Sequence, residues 1–132
     1  MIGVLIDIGG GFLAEIVFAS TYAALLLSQG VSQTDLQHRM LMDNSFYVAN
    51  VIVGDGFLAA GAFVAARIAR VREVEHAGLV GVVGVTIVWA IGRAIAEDRT
   101  LYPPWYAPVF YGLALPVALL AGYIARRFAG PR

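Results

Sequence analysis

The chain contains no cysteine and no lysine, and charged residues make up only 14% of its 132 positions. The absence of cysteine excludes disulfides, thiolate metal sites and a cysteine nucleophile. The nine basic residues, all of them arginine, are balanced by nine acidic ones. A net charge of zero removes the electrostatic basis for a nucleic-acid partner. The exclusive use of arginine is typical of a GC-rich genome and indicates a bacterial origin.

Four long apolar stretches dominate a composition that is 60% hydrophobic. They cover residues 8–27, 46–66, 77–95 and 107–125. Each is close to the roughly 20 residues that an α-helix needs to cross a bilayer core at about 1.5 Å per residue. What remains is too short for a water-soluble domain with its own core. We therefore predict an all-α bundle of four membrane-spanning helices, forming a single membrane domain over residues 1–132.

The distribution of arginine predicts how this bundle is oriented. The first apolar run follows no basic segment and is too long for a signal-peptide core, so we expect a retained helix. Six arginines fall on one side of the predicted spans and three on the other: Arg67, Arg70, Arg72, Arg126, Arg127 and Arg132 against Arg39, Arg93 and Arg99. This excess predicts a bacterial inner-membrane protein with both termini in the cytoplasm.

Acidic residues inside the apolar stretches are the main candidates for function. Glu15 and Asp55 lie well within two predicted spans, and Asp7 lies at the edge of the first. Ionisable groups at such depth are costly and often mark transport pathways, so one hypothesis is a proton-linked or cation-binding site between the first two helices. The alternative is structural: the acids hydrogen-bond neighbouring helices, and Asp7 caps the first helix. The candidate hydrogen-bond partners are Asn50, Ser20, Thr21 and Thr86.

Glycines in the second and third stretches predict close helix packing, because small residues let helix backbones approach each other. The positions are Gly54, Gly56, Gly61, Gly78, Gly81 and Gly84. In the segment before the second span, Ser32 and Asp35 have the spacing of a capping box. That spacing favours a short interfacial helix or an extension of the second span. Pro116 is expected to kink the fourth span or free a carbonyl within it.

No pattern of a catalytic triad, a metal hydrolase or a phosphate-binding loop is present. His38 and His76 fall on opposite sides of the predicted membrane, so they cannot share a metal ion. We therefore expect no enzymatic activity, no metal site and no cofactor.

Two stretches resemble known membrane proteins. The segment from Gly54 to Val85 resembles small four-span bacterial inner-membrane proteins of unknown function, through the matching residues Gly61, Ala65, Ala66, Arg67, Ile68, Ala69, His76 and Ala77. This resemblance implies the architecture alone. The segment from Gly10 to Ile16 is similar to the first helix of small multidrug resistance transporters, which implies that Glu15 exchanges protons for cations. The long first loop departs from that family, as does the absence of its Ala-Tyr-Ala-x-Trp motif.

A chain of this size leaves little room for an internal pathway. The sequence therefore favours an oligomerising or accessory subunit of a membrane assembly, with the lipid bilayer and further copies or other chains as its partners. The alternative is a small proton-coupled transporter or cation-binding protein that uses Glu15 and Asp55.

Overall fold

The computed structural model describes residues 1–95 and 102–129. The described residues form helices and connecting turns without any strand, which confirms the predicted all-α fold. Four helices are long and apolar enough to cross a membrane, and they identify a membrane protein. They are the first helix Ile2–Ser28, the second Asn44–Ala69, the third Glu73–Ile95 and the fourth Tyr106–Phe128.

The first helix begins six residues earlier than the apolar run predicts, at Ile2 instead of residue 8. Its opening residues are apolar and continue the helix, so Asp7 lies inside it and does not cap it. The glycine triplet does not interrupt the helix either. Instead, the segment Ile6–Gly10 adopts a wide π-helical turn between the α-helical segments Ile2–Leu5 and Gly11–Ser28.

The ends of the first two helices follow from local chemistry. Gly30 adopts a left-handed conformation with φ of 88° and ends the first helix. Its N–H donates to Leu27, and the N–H of Val31 donates to Leu26, which is the Schellman arrangement. Asp43 is the N-cap of the second helix, and its carboxylate accepts the N–H of Ser45 at 2.8 Å.

A separate short helix, Gln33–Met42, connects the first two spans. Ser32 caps it by accepting the N–H of Asp35 at 3.2 Å. This confirms the cap predicted from the sequence and selects the short helix over an extension of the second span.

Helices two, three and four pack against one another around a core made almost entirely of small side chains. The hydrophobic residues of this core cluster are Leu58, Ala62, Ala66, Ala77, Val80, Ala114, Ala118, Ala121 and Ala125. The four alanines of the fourth helix recur at spacings of four, three and four, so they line one face of it. The fourth helix continues through Pro116, which lacks the N–H that would bond the carbonyl of Gly112.

The first helix joins this core only through its beginning. Gly3 is its one buried residue, and a Cβ added there would come within 2.8 Å of the Cβ of Ala65. The segment Gly11–Ser28 contains no buried residue and packs mainly on the second helix and the connecting helix. Two-thirds of the first span, 18 of its 27 residues, therefore lies at the margin of the bundle.

Candidate functional site

The three intramembrane acids occupy two separate places along the interface between the first and second helices. Asp7 and Asp55 lie near each other, close enough for their charges to interact. Glu15 lies against Asn50, which is about 7.5 Å from Asp55 along the second helix at 1.5 Å per residue. The sequence proposed a site that uses Glu15 and Asp55, with Asp7 as a further candidate. In the structure the charges of Asp7 and Asp55 interact, and Glu15 bonds Asn50.

Glycines in two other helices make room for Asp7. Its carboxylate lies directly against Gly84 of the third helix, where any side chain would occupy the same space. A Cβ at Gly61 of the second helix would come within 3.1 Å of the backbone nitrogen of Asp7. The π-helical turn that contains Asp7 thus presses its side chain into a seam between two helices.

Asp7 and Asp55 are both half-buried, and neither carboxyl forms a hydrogen bond with any described residue. Two carboxylates close together repel each other when both are ionised. Such a pair is lower in free energy when it holds a proton or a cation. The arrangement therefore has the chemistry of a proton-binding or cation-binding pair.

Glu15 belongs to a chain of hydrogen bonds that joins three helices. The amide nitrogen of Asn50 donates to Oε1 of Glu15 at 3.2 Å, and the hydroxyl of Tyr106 donates to Oδ1 of Asn50 at 2.9 Å. The Glu15 side chain is nevertheless exposed at the surface of the bundle. It lies about 20 Å from the start of a helix that is about 40 Å long. Its partner Asn50 lies about 9 Å from the start of the second helix, and Tyr106 begins the fourth, so the hydrogen-bond chain lies in the part of the spans nearer the connecting helix.

The other hydrogen-bond partners proposed from the sequence do not reach the acids. The hydroxyl of Thr21 donates to the carbonyl of Val17 at 2.8 Å, and that of Thr86 donates to Val82 at 2.7 Å. Threonine commonly bonds the preceding turn of its own helix in this way. Of the four candidates, only Asn50 contacts an acid.

Aromatic rings surround this hydrogen-bond chain at the end of the bundle that holds the connecting helix. Phe18, Tyr22 and Phe46 stack together, and Tyr47 meets Tyr106 with ring centroids 5.0 Å apart. The sequence indicated no site role for Tyr106, although this residue begins the fourth spanning helix directly after Trp105. Its position would have marked it as the residue of the fourth helix nearest to this end.

Most of the predicted packing glycines lie at helix contacts. An added Cβ would meet a neighbouring residue within 4 Å at Gly54, Gly61, Gly78, Gly81 and Gly84. Gly56 differs, because a Cβ there would meet nothing within 4 Å. Its place beside Asp55 therefore reflects no close approach between helices.

Comparisons with known proteins return no match: no family model, no curated protein and no solved structure is significantly similar to this chain. Both resemblances noted in the sequence stay predictions. Function is therefore inferred from the geometry of the side chains.

Proposed function

We propose that the protein is a non-catalytic subunit of a membrane assembly, in which a further copy of the chain or another membrane protein covers the outer side of the first helix. The observation that carries this proposal is the exposed carboxyl of Glu15 within an apolar spanning helix. Apolar side chains on the same helix are compatible with lipid tails and need no partner. A carboxyl group does.

The cost of leaving Glu15 in contact with lipid is substantial. An acidic side chain at the centre of a spanning helix costs about 2.5–3.5 kcal/mol on insertion scales, and this is the upper bound for Glu15, which lies nearer one end of the spans. Asn50 satisfies one carboxyl oxygen, and the other has no hydrogen-bond partner among the described residues. A neighbouring chain that supplies a hydroxyl, an amide or a backbone carbonyl would recover part of this cost.

We place this assembly in the bacterial inner membrane with both termini in the cytoplasm. The described helix ends support the arginine count: Arg67 and Arg70 end the second helix, and Arg126 and Arg127 end the fourth at the same end of the bundle. Labelling of introduced cysteines tests the orientation, because the chain has none of its own. A cysteine at Ser32 should react from outside the cell, whereas one at Glu73 should not.

The assembly itself is tested by native mass analysis of the protein extracted in its own lipids. We expect a multimer or a defined complex, and we expect Glu15→Leu to dissociate it. Thr21→Val is the matched control, because the Thr21 hydroxyl is already bonded within its own helix. A monomer with no bound chain in the parent, or an intact assembly in Glu15→Leu, would overturn the proposal.

A second candidate function is proton-coupled transport or cation binding, with Glu15 as a further exchange group. It rests on the charge interaction between Asp7 and Asp55. The pair lacks hydrogen bonds from the described residues, so a proton or a cation is the remaining way to compensate it. Infrared carboxyl bands in lipid should titrate between about pH 5 and 9 and respond to added cations. Asp7→Asn and Asp55→Asn should remove that response while leaving the fold intact, since asparagine keeps the shape of a protonated acid.

Carboxyl bands that neither titrate nor respond to cations would exclude exchange and leave the assembly role alone. Glu15→Gln separates the two functions. It should preserve an assembly that needs only hydrogen bonds, whereas a proton exchange at this residue would be lost.

A further inference from the structure

We infer that the arginine-bearing end of the bundle contains a binding site for the phosphate of an anionic phospholipid headgroup. A cleft of about 310 Å³ opens there between the ends of the second and fourth helices. This volume is within the usual range of ligand pockets, about 300–1,000 Å³. Its lining residues are Ala66, Arg67, Arg70, Glu73, Ala125 and Ala129.

The two arginines of the cleft are exposed, and neither forms an ion pair within the described part of the chain. Glu73 also lines the cleft, and it already has an interaction partner. Two guanidinium groups and one carboxylate leave the lining with one positive charge in excess. Guanidinium groups present parallel N–H donors that match two phosphate oxygens, and this makes arginine well suited to phosphate recognition.

Two arginines directly after the second helix adopt a backbone conformation in which glycine would be less strained. Arg70 ends the second helix with φ of 56°, and Arg72 has φ of 52°. They are the only non-glycine residues with positive φ in residues 1–95 and 102–129. Helices commonly end in glycine at such a position, because glycine carries no Cβ penalty there. Strain of this kind concentrates at functional positions, and of the two strained arginines only Arg70 lines the cleft.

The location of the cleft selects a lipid as its occupant. Arg67 lies in the last turn of a spanning helix, and Ala125 lies one turn before the end of another, so the cleft opens at the height where phospholipid headgroups meet the protein. Three alanines line the cleft beside the charges. They offer no hydrogen bonds and suit the glycerol and acyl region below a phosphate. Basic pockets between spanning helices bind anionic headgroups by this combination of charge and depth.

The experiment uses the full chain in detergent, with dioleoyl phosphatidylglycerol or dioleoyl phosphatidylcholine added, and counts retained lipids by native mass spectrometry. We expect preferential retention of phosphatidylglycerol. The double variant Arg67→Gln with Arg70→Gln should weaken that retention by about tenfold or more. The matched control, Arg72→Gln with Arg127→Gln, removes the same charge from the same end. Neither of these two arginines lines the cleft: Arg72 pairs with Glu75, and Arg127 lies over the ring of Tyr123.

Arg70→Gly keeps the test informative if the double variant unfolds. Glycine relieves the strained φ, so the thermal midpoint should stay equal or rise while phosphatidylglycerol retention falls. Equal retention of the two lipids, equal losses in the cleft and control variants, or full retention in Arg70→Gly would each overturn the inference. Displacement of the lipid by millimolar inorganic phosphate would show a site for free anions instead, and would overturn the assignment to a lipid.

Discussion

The first third and the remaining two-thirds of the first helix differ in how they pack against the rest of the bundle. The beginning, up to Gly10, lies in a glycine-lined seam against the second and third helices, with Gly3 buried and Asp7 held against Gly84. The segment Gly11–Ser28 has the same apolar character but contains no buried residue. Hydrophobicity therefore does not decide which part packs in a membrane. The fit of small residues does.

Overpacking of the helix contacts should have the largest effect on stability. A Cβ at Gly81 would lie 2.8 Å from that of Ala118, so Gly81→Leu must push the third and fourth helices apart. We expect a loss of about 1–3 kcal/mol in the free energy of unfolding, measured by denaturant titration in mixed micelles. Gly61→Leu should behave in the same way, since its Cβ would come within 3.1 Å of the Asp7 backbone nitrogen.

Gly56→Leu is the matched control, because nothing lies within 4 Å of a Cβ at that position. It should leave stability unchanged or raise it slightly through better helix propensity. An equal loss of stability in Gly56→Leu and Gly81→Leu would contradict the assignment of tight packing to Gly81.

The hydrogen bonds that tie the outer two-thirds of the first helix to the bundle should contribute less. Asn50→Ala removes the bonds to both Glu15 and Tyr106. At about 0.6 kcal/mol for each membrane hydrogen bond, we expect a loss of about 1.2 kcal/mol. Asn44→Ala, which removes only the bond from the Trp105 indole, should cost about half as much in the same unfolding measurement.

Asp43 joins the two regions at the far end of the first span and should make stability depend on pH. The Tyr22 hydroxyl and the Ser45 N–H donate to its carboxylate, and together they lower the pKa of Asp43 below its ordinary value. Its stabilising contribution is therefore complete above about pH 4 and is lost as the pH falls through the lowered pKa. Asp43→Ala should cost about 1 kcal/mol at neutral pH, the usual value of a helix cap.

The asparagine variant checks the origin of this effect. Asp43→Asn retains a capping oxygen and does not titrate, so its stability should vary less than that of the parent between about pH 5 and 3. If the two proteins lose stability in parallel over that range, another group is responsible.

The smallest effect is expected on the exposed outer two-thirds of the first helix. Val17 is 65% exposed, so Val17→Ala should change the free energy of unfolding by less than about 0.5 kcal/mol. Val80→Ala is the contrasting change in the core, where the side chain is 5% exposed. A large loss at Val17 in lipid would reveal a partner that covers this surface.

The sequence predicted the four helices well because apolar length alone decides what crosses a bilayer. It placed the start of the first helix too late, because Asp7 interrupts the apolar pattern without interrupting the helix. The alanine face of the fourth helix was visible in the sequence as the spacing of residues 114, 118, 121 and 125. Alanine at this spacing predicts close helix packing just as glycine does.

The pairing of acids could not be predicted in the same way. Whether Asp55 meets Asp7 or Glu15 depends on how far the first helix slides and turns against the second, and apolar periodicity does not determine this offset. The close approach of Gly3 to Ala65 fixes the offset in the structure. Glycines and alanines scattered along several helices allow many such approaches, so the sequence left the choice open.

The π-helical turn has a consequence for the angular phase of the first helix. In a regular α-helix, residues eight apart point about 80° away from each other. A π-helical turn accommodates about one extra residue. Asp7 and Glu15 therefore have the angular relation of residues seven apart in a regular α-helix, and their side chains leave the helix within about 20° of the same direction. Both acids consequently face the second helix. Deleting Gly10 should convert the turn to regular helix and keep this alignment, whereas deleting Ala14 should rotate Glu15 away by about 100°. Cysteine cross-linking between positions 15 and 50 would distinguish the two deletion variants.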